Sequence, residues 1–113
     1  MNDMLIVAPH RLLSLLKSLA GLPMMANRIH VGNRDNVLLM PADDFSDCSR
    51  FYGLRFNKAI VHDKTDYEVK QVIRSRCRGP NAEVIVTVDI DTMLLVVQGI
   101  LERTRRNNGE ITN

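Results

Sequence analysis

The sequence predicts an α/β domain: a small parallel sheet with crossover helices plus one β-hairpin. Two observations carry this prediction. Short continuous apolar runs recur at Met4–Ala8, Lys58–Asp63 and Glu83–Val88, the signature of strands buried on both faces. Between them lie segments with apolar residues three and four apart, so the order reads strand, helix, hairpin, strand, helix, strand, helix, the alternation that builds parallel sheets.

Each element has its own local reason. Met4–Ala8 ends at Pro9-His10, where a strand leaves the sheet. Arg11–Leu22 carries Leu12, Leu15, Leu16, Leu19 and Leu22 as one stripe, and Gly21 and Pro23 stop the helix. Arg28–Val31 and Val37–Met40 flank the polar turn Gly32–Asn36, a hairpin pattern. Residues 41–57 show no period and read as a long connection with one helical turn, the kind of loop that often carries function. Lys58–Asp63 is the next strand. Thr65 and Glu68 have capping-box spacing, and Val69, Val72 and Ile73 give the following helix its apolar face before Gly79-Pro80. Glu83–Val88 ends at Asp89, and Asp91 or Thr92 caps a last helix with Met93, Val96, Val97, Ile100 and Leu101 turned inward. Leu94 and Leu95 give that helix a second apolar face, so residues 92–104 are a candidate homodimer surface. The expected organisation is one domain over 1–104 and a flexible polar tail over 105–113.

Composition narrows the function classes. The chain has 113 residues, 45% apolar and 25% charged, which suits one globular core and argues against a disordered or fibrous protein. No apolar run is long enough to span a bilayer, and the first residues lack a signal-type pattern, so the expectation is a cytoplasmic protein with no membrane contact. Fifteen Lys and Arg against thirteen Asp and Glu leave a net charge of +2, so nucleic-acid binding must be argued locally. Cys48 and Cys77 lack CxxC spacing and read as reduced thiols. Two Tyr, three Phe and no Trp leave few stacking platforms for single strands.

Candidate chemistry is sparse. No glycine-rich phosphate loop, GxGxxG or GxSxG motif is present, and His10, His30 and His62 lie in separate segments. In an open parallel sheet ligands sit beyond the carboxyl ends of the strands, where Asp63, Asp89 and Asp91 could hold Mg²⁺ or simply begin turns and cap helices. The basic residues are the stronger signal. Lys70, Arg74 and Arg78 fall four apart along the second crossover helix, with Arg76 beside them and Arg50 and Arg55 in the preceding loop. Such a stripe can follow a phosphate backbone or an acidic protein surface, or be a solvated helix face.

From Arg28 to Val88 the chain resembles the middle of the ATPase core of phage large terminases and helicase-like P-loop NTPases. The stretch Arg50-Phe51-Tyr52-Gly53-Leu54-Arg55-Phe56-Asn57 followed by Lys58-Ala59-Ile60-Val61-His62-Asp63 is similar to that family's pre-strand element and Walker B strand. Arg78–Thr87 looks like the approach to the next strand, and Met4–Ala8 like the strand after the P-loop helix. The departures matter: there is no Walker A segment, and Lys64 stands where the family has its Walker B glutamate. Without the phosphate cradle and the base, phosphoryl transfer loses both positioning and electrostatic stabilisation. The resemblance therefore implies a degenerate, non-catalytic relative, phage-encoded and acting in the bacterial host cell, that binds a protein or nucleic-acid partner and needs no cofactor.

Two rival expectations stand beside it. Val86-Thr87-Val88-Asp89-Ile90-Asp91 has local similarity to the DxD metal pair of Toprim-like nucleases, but no Glu lies in Met4–Ala8 and Gly99 is too distant for that motif. A small structural subunit of an assembly is the other.

Overall fold

The structure, a computed structural model, describes residues 2–32 and 35–113. It is an α/β fold in three layers. The elements run β1 (Asn2–Ala8), α1 (His10–Leu19), β2 (Arg28–Gly32), β3 (Asp35–Pro41), a 3-10 helix (Phe45–Phe51), β4 (Lys58–His62), α2 (Tyr67–Arg76), β5 (Glu83–Thr87), α3 (Ile90–Arg106) and β6 (Glu110–Thr112). They build one sheet in the order β5-β4-β1-β3-β2-β6. β1 pairs parallel with both β3 and β4, and β4 parallel with β5, while β2 runs antiparallel to β3 and β6. The parallel part thus has four strands, because the second arm of the expected hairpin joins it. The turn residues Asn33 and Arg34 of that hairpin lie outside the described residues.

Alternate residues of the central strands feed two cores, as the period of two requires. Ile6, Leu39 and Ile60 pack with Leu13, Leu16, Met93, Val97 and Ile100, so α1 and α3 cover one face. Leu5, Val7 and Val61 pack with Phe51, Val69 and Ile73, so the 3-10 helix and α2 cover the other. Both faces of β1 are buried, which is why its sequence is a continuous apolar run.

Several local expectations are corrected. α2 is capped by Asp66, whose carboxylate accepts from Glu68 N–H at 2.9 Å, and not by Thr65, which is buried. α3 is capped by Asp89, accepting from Thr92 N–H at 2.6 Å, and not by Asp91 or Thr92. The connection 41–57, by contrast, holds the expected helical turn as the 3-10 helix, which a capping box between Asp44 and Asp47 starts and the fully buried Phe51 anchors. On α3, Leu94 packs against the core, leaving Leu95 as an exposed large apolar side chain. The polar tail does not fray from Arg105. α3 continues to Arg106, and Glu110–Thr112 pair with Arg28–His30 as β6. This pairing needs a backbone approach that only glycine permits, since a Cβ on Gly109 would fall 1.9 Å from His30 O. No described helix is long and apolar enough to cross a membrane.

Candidate functional site: an arginine-lined groove

The connections after β1 and β3 leave toward opposite faces, so the crevice beyond their carboxyl ends is where an open α/β sheet usually takes a ligand. Here the chain fills that place itself. Pro9 at the start of α1 offers no side-chain cap, and Asp43, from the loop after β3, accepts from His10 N–H at 2.8 Å. A carboxylate therefore sits where a phosphate would be held by a helix N-terminus.

The acidic candidates further along the same rim are each engaged locally. Asp63 pairs with Lys70 at 3.8 Å, and its backbone carbonyl accepts from Lys70 Nζ at 2.9 Å. Asp89 caps α3, and the N–H and hydroxyl of Thr92 hold its carboxyl below the usual carboxylate range. Asp91 is exposed in the first turn of α3, where a negative charge suits the helix dipole. Among the described residues no three His, Cys, Asp or Glu are grouped to hold a metal ion. His62 is buried next to Asp63. Its Nδ1 accepts from Lys64 N–H at 3.1 Å, which leaves the proton on Nε2, and burial pushes its pKa down.

The basic residues divide into two groups. Lys70 is tied to Asp63 and Arg50 to Asp47 at 3.3 Å, while Arg74 is exposed on α2. Arg55, Arg76 and Arg78 gather at the opposite end of the sheet, around a groove of about 890 Å³ beside the first residues of β4 and the last turn of α2. Arg78 does not continue the helical stripe, because α2 ends at Arg76 and Cys77 turns extended.

Backbone pairing builds this groove. Phe56 and Cys77 form a parallel bridge, with Arg78 N–H donating to Phe56 O at 3.0 Å. Gly79 then turns the chain at a φ of 123°, in the left-handed region, and Glu83 N–H reaches Asn57 O at 3.0 Å to start β5. Segments 54–57 and 76–80 are thereby held side by side as the two walls. Leu54, Phe56 and Pro80 supply apolar lining, and among the described residues no carboxylate lines the groove. The Arg76 guanidinium lies 5.5 Å from the centre of the exposed Tyr52 ring, a cation–π contact. None of the three arginines belongs to an ion pair among the described residues. Arginine clusters of this kind suit carboxylate or phosphate, which they bind through planar forked donors.

The sequence pointed to these arginines but not to the apolar lining of Leu54, Phe56 and Pro80, nor to Asp43. The available signal was that Arg55 and Arg78 each lie a few residues ahead of a strand-like apolar run. No protein-family model, curated protein or solved structure matches the chain.

Proposed function

We propose that this chain is a non-catalytic binding module that takes an anionic segment of a protein or nucleic-acid partner in the Arg55–Arg76–Arg78 groove. The observation that carries this is that Arg55, Arg76 and Arg78 line one concave surface, with no ion pair to any of them and no carboxylate in the lining among the described residues. Two further observations support binding over catalysis. Asp43 fills the α1 N-terminus at the switch point, and the Asp63, Asp89 and Asp91 carboxylates serve turns and helix starts. The resemblance to a terminase-like core, with Lys64 in place of the Walker B glutamate, leads to the same proposal, a regulator that engages a larger machine.

The test is capture from bacterial lysate with and without nuclease, using wild-type protein and an Arg55→Glu/Arg76→Glu/Arg78→Glu variant. The side chains are exposed, so the variant should fold. Loss of the bound species in the variant is expected. A partner retained equally by both proteins would move the contact away from the groove, and nuclease sensitivity would separate nucleic acid from protein.

A further inference from the structure

The two edges of the sheet are unlike. β6 is three residues long, and a short edge offers another chain little to pair with. β5 has five residues, Glu83–Thr87, without proline, lysine or a bulge to guard it. Only half of its backbone is used. Glu83 N–H donates to Asn57 O at 3.0 Å, and Thr87 O accepts from Asp63 N–H at 2.7 Å, with Ile85 opposite Ile60 between them. Glu83, Ile85 and Thr87 therefore face β4, and the N–H and C=O groups of Val84 and Val86 point away from the sheet. Ile85 lies on the α1–α3 face at 39% exposure, and Val88 just beyond the strand is 75% exposed.

We infer that β5 pairs antiparallel with β5 of a second copy of this chain, in a register centred on Ile85, so that the two sheets become continuous. In that register Val84 of each copy exchanges hydrogen bonds with Val86 of the other, which uses the outward-facing groups. Ile85 meets its own copy as a non-hydrogen-bonded pair with Cα atoms about 4.5 Å apart, close enough for each side chain to cover the other. Glu83 falls opposite Thr87, so no like charges face each other.

Charge selects a second copy and sets its direction. The leading end of β4 and β5 carries Arg55, Arg76 and Arg78, with Lys58 balanced by Glu83 at 3.8 Å. The far end carries Asp63, Asp89 and Asp91, and Asp66 at the cap of α2 and Glu68 in its first turn leave it acidic despite Lys64 and Lys70. Antiparallel pairing lays the basic end of each copy along the acidic end of the other, twice by symmetry, whereas parallel pairing would place like on like.

The experiment is light scattering and sedimentation on the full chain, from low micromolar to near-millimolar concentration. Wild type is expected to approach twice the 12.8 kDa of one chain and to dissociate as salt is raised. Val86→Pro removes an outward N–H without touching the β4 ladder, and Ile85→Lys places two charges at the self-pair; each is expected to be folded and monomeric where wild type is dimeric. Leu95→Lys, on the exposed side of α3, is expected to dimerise as wild type does. A wild type that remains at 12.8 kDa throughout overturns the inference, as does a dimer that survives Val86→Pro. Should either variant fail to fold, hydrogen exchange on wild type decides: exchange at the Val84 and Val86 amides must accelerate on dilution, and concentration-independent exchange overturns the pairing.

Discussion

Replacing Phe51 with alanine tests whether the irregular stretch between β3 and β4 is part of the fold or merely rests on it. Phe51 is fully buried in a cluster with Cys48, Phe56, Val69 and Ile73. A buried phenylalanine hides about 150–250 Å², and at about 25 cal/mol per Å² that burial is worth roughly 4–6 kcal/mol. The alanine methyl retains part of this and the cavity left behind adds to the loss, so the expected cost is about 3–5 kcal/mol. A domain of 113 residues has a total stability of roughly 6–17 kcal/mol, so the substitution would remove a large share. Urea unfolding followed by circular dichroism should show the midpoint falling by roughly 2 M for a slope near 2 kcal/mol per M. Hydrogen exchange in 45–51 should accelerate alongside it. A loss below about 1 kcal/mol would refute the assignment, because a ring that costs so little to delete is not the anchor of the 3-10 helix.

Three further outcomes follow from single contacts. Gly109→Ala forces a methyl against His30 O and Thr104 Cγ2, so the amides of Glu110–Thr112 should lose protection in hydrogen exchange while the parallel strands keep theirs. Thr65 buries a hydroxyl that finds no hydrogen-bond partner among the described residues, so Thr65→Val should raise stability by about 1–2 kcal/mol in the same urea assay. His62 is held neutral in the fold by burial, whereas the unfolded chain protonates it near 6.5. The unfolded state thus binds the proton first, and stability should decline as pH falls below that value, by at most about 1.4 kcal/mol per pH unit, until the folded state is protonated too. His62→Gln should flatten this part of the stability–pH curve, and an unchanged slope would assign it to another group.

Elements whose cause is local were legible in the residues. The apolar runs of β1 and β4 reflect burial of both strand faces, and a side chain's own periodicity records that. The leucine spacing placed α1 but not its inward face, since Leu13 and Leu16 are buried while Leu15 and Leu19 are exposed, and β5, expected to be buried on both faces, is an edge strand with Ile85 and the following Val88 exposed. Cap residues were misplaced by one to three positions. Asp66 and Asp89 displaced Thr65 and Asp91 because the last extended residue before each helix holds the cap, and where a strand's extension ends depends on its neighbours. β6 was invisible, since Glu110-Ile111-Thr112 is short and polar and becomes a strand only through hydrogen bonds to residues some eighty positions earlier.

The candidate groove divides in the same way. The sequence by itself determined an α/β domain, a surplus of arginine in 50–78, and the lack of a glycine-rich phosphate loop, because composition and motif are properties of the chain alone. Which arginines act together was decided only in three dimensions. The Phe56–Cys77 bridge brings Arg55 to Arg76 and Arg78 across some twenty residues, while Lys70 and Arg50 are drawn off by Asp63 and Asp47. Helical spacing would group Lys70 with Arg78, but the break in α2 at Cys77 separates them, and the pairing of neighbouring strand starts, a non-local event, sets which charges share a surface.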